Sequence, residues 1–205
     1  MQTFTSSDVS FLPVFDFLFT RVFEHCPIPV WVAGGSISSQ LCGRTVNDYD
    51  VFSNDPIAVC NWVRSRYGAG DDTVRLFEND QVLNMHINNR KIQIIKNHSF
   101  ASPQETCDAF DFTACCAAYD GEQLFVHDRF FLDNAQKRLV VNKLPFPLST
   151  LSRSYKYVSY GYSLCPVGLN RIVKSIVELQ IDFNNPQENQ ILFYPSGALK
   201  FTGID

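Results

Sequence analysis

Two aspartates one residue apart, Asp48 and Asp50 in "NDYDVF", follow a glycine pair, Gly34 and Gly35, with Ser36 beside the glycines. Carboxylates spaced by two along a strand share a face, and hard oxygen ligands of this kind grip Mg²⁺ or Mn²⁺. Adjacent glycines between an apolar run and a helix start let backbone N–H groups converge on one point, which favours an anion such as a triphosphate. Together they suit metal-assisted phosphoryl transfer, in which a metal bridges phosphate oxygens and activates an attacking hydroxyl.

The elements that must position these residues are legible around them. "PVWVAGG" reads as a short buried strand running into a glycine turn, and a helix is expected over 36–42. "DYDVFS" reads as a strand, and Pro56 opens a helix through about Arg66. "TVRLFE", "QVLNMHI" and "KIQIIKN" read as strands, the last two joined at Asn88-Asn89. Before them, Ser6, Ser7 and Asp8 offer caps to a helix in "VSFLPVFDFLFTRVFEH". After them, "SPQETCDAF" reads as a short helix, and "DFTACCAAYDGEQLFVH" as two strands meeting near Asp120-Gly121. "STLSRSYKYVSYGY" and "VGLNRIVKSIVELQ" are expected to be helical, the second with Leu169, Ile172, Val173, Ile176 and Val177 in one apolar stripe. The tail from Asp182 reads as extended or irregular. The expected organisation is an α/β head over 1–145, a helical neck over 146–182 and a tail over 183–205.

The strand, the G-[GS] corner and the D-x-D pair resemble the signature of the nucleotidyltransferase superfamily. The head and neck of class II CCA-adding enzymes and bacterial poly(A) polymerases are the most similar. "VAGGSISSQLCGRTVNDYDVF" is similar to that family's G-G-x-x-R-D…G-R…D-x-D segment and keeps Gly43-Arg44. "DFTACCAAYDGEQLFVHDRFFLDNAQKRLVVN" resembles its R-D-F-T-x-N-A stretch and the hairpin and helix that follow, and "LSTLSRSYKYVSYGY" the start of its neck. "FDFTACC" and "KIQIIK" also resemble small nucleotidyltransferase-like proteins of phages and large DNA viruses. The resemblance implies an α/β (α+β) fold with a mixed sheet, flanking helices and a small helical neck. It implies that Asp48 and Asp50 hold two Mg²⁺ (or Mn²⁺) ions and that Gly34, Gly35 and Ser36 cradle the β- and γ-phosphates of an NTP. Asp111 would contact the ribose, and Arg44 would either stabilise the loop or approach phosphate. The implied reaction is attack of an RNA or other hydroxyl acceptor on the α-phosphate, with release of pyrophosphate.

The departures from that pattern are specific. The arginine and acid after the glycines are replaced by Ser38 and Ser39, and the position of a third carboxylate on "KIQIIK" holds Gln93, which is neither a base nor a carboxylate ligand. Ala109 and Phe110 stand where the resemblance calls for two arginines, and "FPLST" lacks the base-templating E-D-x-x-R. CCA addition is therefore not expected. Two function classes remain open. One is a minimal nucleotidyltransferase. The other is a weakened or inactive relative that keeps the fold as a binding or assembly component, of a phage or virus particle for instance.

Composition bounds the rest. The 205 residues carry a formal charge of −4, so blanket attraction to nucleic acid is not expected, although a local basic patch is compatible with it. Seven cysteines without a C-x-x-C pair fit a reducing cytoplasm better than a disulfide framework, and the scattered histidines have no zinc spacing. Cys115 and Cys116 read as small buried residues. No apolar run is long enough to span a bilayer and the N-terminus lacks a signal-peptide pattern, so a cytoplasmic or virion-associated protein is expected, with no membrane partner. Lys91, Lys96 and Arg90 flank the strand facing the expected cleft, and Lys96 is assigned to nucleotide binding. Arg153, Lys156, Arg171 and Lys174 form a candidate basic face, and Tyr155, Tyr157, Tyr160 and Tyr162 candidate stacking residues. The phenylalanine-rich N-terminal segment and the apolar tail are compatible with homo- or hetero-assembly as well as with core packing.

Overall fold

The apolar run Val30–Ala33 is paired on both sides, and a sheet grows outward from it. In the computed structural model, which describes residues 1–68, 73–179, 191–193 and 199–201, the chain divides into two compact units. The first comprises residues 1–108 and 115–128, the second residues 109–114 and 129–205. The first holds β1 (Gln2–Thr5), β2 (Val30–Ala33), α1 (Gly35–Leu41), β3 (Tyr49–Ser53), α2 (Pro56–Tyr67), β4 (Val74–Glu78), β5 (Val82–Ile87) and β6 (Arg90–Ile95). After α3 (Pro103–Ala109) come β7 (Ala117–Tyr119) and β8 (Gln123–Val126).

These eight strands form one mixed sheet in the order β1-β8-β7-β2-β3-β6-β5-β4. Only β3 and β6 pair in parallel. Strand alternation sorts its faces. Val32, Val51, Leu83, Met85, Ile92 and Ile94 are all buried on one face. Phe15 and Phe17 lie against Tyr49 of that face, at centroid separations of 6.0 and 5.2 Å. On the opposite face Trp31 and Phe52 are buried, with Trp31 Nε1 donating to Thr106 Oγ1 of α3 at 2.9 Å. The same face carries Asp50 with Gln93 and Asn84 in one row and Lys91 with His86 in the next. Asn88 and Asn89, both at positive φ (48° and 60°), form the tight turn between β5 and β6.

Glu78 ties α2 to the edge of the sheet. Its carboxylate accepts from Arg64 Nε at 3.1 Å and from Lys96 Nζ at 2.7 Å, and these two cations lower its pKa from the usual 4.5 to about 2. A depressed carboxylate pKa contributes stability that is complete above pH 4.5 and fades as the pH falls toward 2. After solvent screening the cluster is worth about 1 kcal/mol. Glu78→Gln is expected to lower stability by that amount at neutral pH and to remove this part of the acid dependence in urea titrations.

The second unit holds α4 (Phe130–Ala135), β9 (Arg138–Leu139), α5 (Pro147–Ser159), β10 (Ser163–Leu164), α6 (Pro166–Glu178), β11 (Ile191–Phe193) and β12 (Leu199–Phe201). β9 and β10 pair in parallel, β11 and β12 antiparallel. Tyr157 packs edge-on against Phe112 (5.8 Å) and Tyr162 (5.3 Å), and the Tyr162 hydroxyl bonds the Asn134 side chain. Those two tyrosines are therefore core residues of this unit, whereas Tyr155 is exposed.

Several elements differ from the sequence expectation. The N-terminal helix is broken into a 3₁₀ turn (Leu12–Phe15) and a π turn (Leu18–Val22). Asp8 does not start a helix; it accepts from Thr5 N at 2.8 Å and so closes a turn after β1, an edge strand the sequence reading missed. Residues 111–115 are not a strand. Residues 111–113 pair with the 140–142 segment, with Thr113 N donating to Val140 O at 3.0 Å and Asn142 N to Asp111 O, and a 3₁₀ turn (Thr113–Cys115) intervenes before β7. The expected apolar stripe of α6 is split: Ile172 is buried, while Leu169, Val173 and Val177 are exposed. Most of the tail expected to be extended or irregular lies outside the described residues. Among the described residues no helix is long and apolar enough to cross a membrane.

Candidate functional site

β2 and β3 are antiparallel, and Ala33 pairs with Asp50. The glycine corner that follows Ala33 and the loop residue Asp48 that precedes Tyr49 therefore sit at the same end of the two strands. Gly34 has φ 82° and ψ −133°, a conformation open to glycine and strained for any residue with a Cβ. Its N–H continues the ladder by donating to Ala117 O at 2.9 Å. Gly35 opens α1, and a Cβ placed on it would meet nothing within 4 Å, so the space above the corner is open. No side chain caps this end of α1, and the first-turn N–H groups of a helix have no intrahelical acceptors. Ser36 is 5% exposed, and its buried hydroxyl has no hydrogen-bond partner among the described residues. A buried hydroxyl of that kind carries a desolvation penalty that a ligand oxygen would remove.

Gly34→Ala is expected to destabilise the protein by about 1–3 kcal/mol, because a residue with a Cβ is strained at the positive φ of this corner. Thermal unfolding checks this.

Asp50 is 6% exposed and Asp48 lies at the surface, its side chain 37% exposed. Lys91 Nζ stands 3.4 Å from Asp48 Oδ2. On the other side of β3, Gln93 is the cross-strand partner of Asp50, so the position read as a missing third carboxylate does lie abreast of the acid pair. Gln93 Nε2 donates to Asn84 Oδ1 at 2.8 Å, which leaves the amide oxygen of Gln93 as an acceptor in this row. Among the described residues no group of three or more His, Cys, Asp or Glu is arranged to hold a metal. Two carboxylates and a neutral oxygen still fit Mg²⁺, which commonly takes one or two carboxylates and completes its shell with water and substrate phosphate.

The other sequence-assigned residues are distributed as follows. Arg44 supports α1: its N–H donates to Ser39 O at 2.8 Å and its guanidinium reaches Ser38 Oγ at 3.5 Å. Lys96 is held at the far end of β6 by Glu78, and it lies three positions beyond Gln93, an odd offset, so it belongs to the opposite face of the sheet. Lys91, two residues from Gln93, is the lysine brought to the acid pair, and counting parity along "KIQIIK" is the signal that distinguishes them. Asp111, in the second unit, is 3% exposed and its Oδ2 accepts from Arg153 Nε at 2.8 Å and Nη2 at 2.6 Å. Arg171 Nη1 likewise donates to Val141 O at 2.8 Å and Lys174 Nζ stands 3.9 Å from Glu178 Oε1, so Arg153, Arg171 and Lys174 of the candidate basic face on α5 and α6 are engaged within their own unit. Cys115 and Cys116 are buried, and none of the seven cysteines is in a disulfide.

This architecture is similar to solved nucleotidyltransferases. A Thermotoga maritima CCA-adding enzyme complexed with tRNA superposes with a TM-score of 0.63 at 16% identity, over 87% of this chain and 47% of that one. A CCA-adding enzyme complexed with ATP gives 0.64 at 16% identity, over 92% of this chain and 50% of that one. The nucleotidyltransferase-like fold is shared, and this chain spans about half the length of those enzymes. In sequence, a protein of Bacillus phage SPbetaL7 described as Gabija anti-defense 2 is 26% identical over 164 residues, covering 78% of this chain and 40% of that protein. Residues 11–137, more than half of the chain and including the whole glycine corner and acid pair, match the profile described as "Gabija anti-defense 2 family protein". The chain belongs to the Gabija anti-defense 2 family.

Proposed function

We propose that this protein is a metal-dependent nucleotidyltransferase that moves NMP from an NTP to the hydroxyl of an RNA or other acceptor, and that a phage uses it against a host defence system. The observation that supports this reading most is the acid pair set against the glycine corner: Asp50 pairs with Ala33, the residue before Gly34 and Gly35. In this reading Asp48 and Asp50 hold Mg²⁺ or Mn²⁺, which supplies charge neutralisation at the phosphates and a more acidic acceptor hydroxyl. Gly34, Gly35 and the Ser36 hydroxyl receive the β- and γ-phosphates. Arg44 keeps α1 in place beneath them. Lys91 exchanges Asp48 for a phosphate oxygen as the nucleotide enters. Lys96, bound to Glu78, takes no part. Asp111 is held by Arg153 within the second unit. The acceptor oxygen bonds to the α-phosphorus as the bond to pyrophosphate breaks.

The CCA-adding enzymes of similar fold were solved with tRNA, CTP and ATP, which makes RNA and those nucleotides the first substrates to test. The family name suggests the setting, inside an infected cell or carried on the particle. A second reading draws on Gln93 beside Asp50 and on the cation already at Asp48. With one carboxylate fewer, the fold would serve as a binding or assembly module that occupies a defence protein, as a homo- or hetero-assembly.

The test incubates the protein with Mg²⁺ or Mn²⁺, each labelled NTP and a mixed RNA pool or host lysate. Label transferred with release of pyrophosphate is the expected result. No transfer, together with no NTP-dependent rise in melting temperature, favours the binding module.

A further inference from the structure

The polar face of the sheet does not end at the acid pair. The registers continue it in two rows: Asp50, Gln93, Asn84 and Phe77 in one, and Lys91, His86 and Arg75 in the other. At the β4–β5 end these rows form a recess of about 560 Å³ lined by Thr73, Arg75, Phe77, His86, Asn88 and Asn89. That volume lies within the range of pockets that take small organic groups. Phe77 is 59% exposed in it, and His86 meets the Phe77 ring at 5.9 Å and 86°. A perpendicular contact covers at most one face of one ring, so flat aromatic surface stays open to a planar partner. Around the rings stand a guanidinium and two asparagine amides, groups suited to phosphate and to the edge of a base.

We infer that this recess seats one nucleobase of a single-stranded nucleic acid, stacked on Phe77 with a neighbouring phosphate on Arg75, and that the same strand runs over Lys91 to the acid pair. Aromatic stacking platforms beside basic side chains are how proteins hold single strands without reading their sequence. From β4 to β3 is three interstrand steps, about 14 Å, within reach of a flexible strand whose 3′ hydroxyl lies at Asp48 and Asp50. Lys91, cross-strand from His86 and 3.4 Å from Asp48, bridges the two ends. The inference deepens the nucleotidyltransferase reading by making its acceptor a single strand, and it rests on that reading for the acceptor's role although not for the binding itself.

Fluorescence anisotropy of the full chain with labelled RNA and DNA oligonucleotides of roughly ten nucleotides tests it. Single strands are expected to bind more tightly than a duplex of the same sequence. Phe77→Ala should weaken binding about tenfold and Phe77→Tyr should restore it. Arg75→Ala should reduce the slope of affinity against salt by about one ion. Both residues are exposed, so unchanged melting temperatures are expected for these variants. The protein with Asp48→Ala and Asp50→Ala should still bind the oligonucleotide while failing to transfer, which separates this inference from the catalytic one. Phe77→Ala binding as tightly as the wild type overturns the inference, as does a duplex binding as tightly as a single strand. A loss confined to Arg75→Ala also overturns it and marks the strip as a charged surface for an acidic protein.

Discussion

Replacing Asp48 and Asp50 together by alanine is expected to lower nucleotidyl transfer at least about 10³-fold, equivalent to several kcal/mol of lost transition-state stabilisation. The size of the effect follows from the shortage of alternatives. Among the described residues no three acidic, histidine or cysteine groups cluster as a metal site, and the third position in the row is the amide Gln93. Removing both carboxylates therefore removes every charged ligand in it. The fold is not expected to follow. Asp48 is a surface residue whose pair with Lys91 is worth at most a fraction of a kcal/mol, and Asp50→Asn keeps the size and shape of a buried side chain while removing its charge and one acceptor oxygen. Transfer rates and melting temperatures measured on the double alanine variant and on Asp50→Asn separate lost chemistry from lost structure. Converting Gln93 to Glu tests the same logic in reverse: it restores a carboxylate abreast of Asp50 and is expected to raise metal affinity.

The second large effect belongs to the other unit. Arg153 donates two hydrogen bonds to one oxygen of Asp111, and the pair is nearly dry, with side chains 11% and 2% exposed. Breaking a buried pair from one side leaves the remaining charge poorly compensated, at a cost of about 3–5 kcal/mol. Arg153→Ala is therefore expected to be strongly destabilising in urea unfolding, and Asp111→Asn combined with Arg153→Met to recover much of the loss.

The sequence carries the acid pair, the glycine corner and the strands that hold them because each signal is local. Period-two alternation in "DYDVFS" and a Gly-Gly step after an apolar strand need no tertiary information. What sequence reasoning missed is non-local. Lys91 and Lys96 are equally basic neighbours of one strand, and only the cross-strand pairings, His86 to Lys91 and Asp50 to Gln93, show which lysine shares the acid pair's face. Strand parity contained that answer, but only once the ends of β6 were known. The start of the chain is non-local in the same way: Thr5 and Asp8 close a turn after an edge strand whose partner, β8, lies far along the chain. The 111–115 segment reads as a strand by composition, yet Asp111 and Thr113 bond residues 142 and 140 of the second unit. Asp111 entered only through the resemblance, and its partner Arg153, 42 residues away in sequence, carries no local signal.

The claim on which the catalytic account depends is that acid pair and glycine corner serve one triphosphate. The most direct measurement is a crystal of the protein grown with Mn²⁺ and a non-hydrolysable NTP, read by manganese anomalous scattering. The account predicts an anomalous peak held by Asp48 and Asp50 and bridged to phosphates that lie over Gly34 and Gly35, with an oxygen accepting from the Ser36 hydroxyl. Manganese or phosphate bound elsewhere, with Asp48 still paired to Lys91, would contradict it.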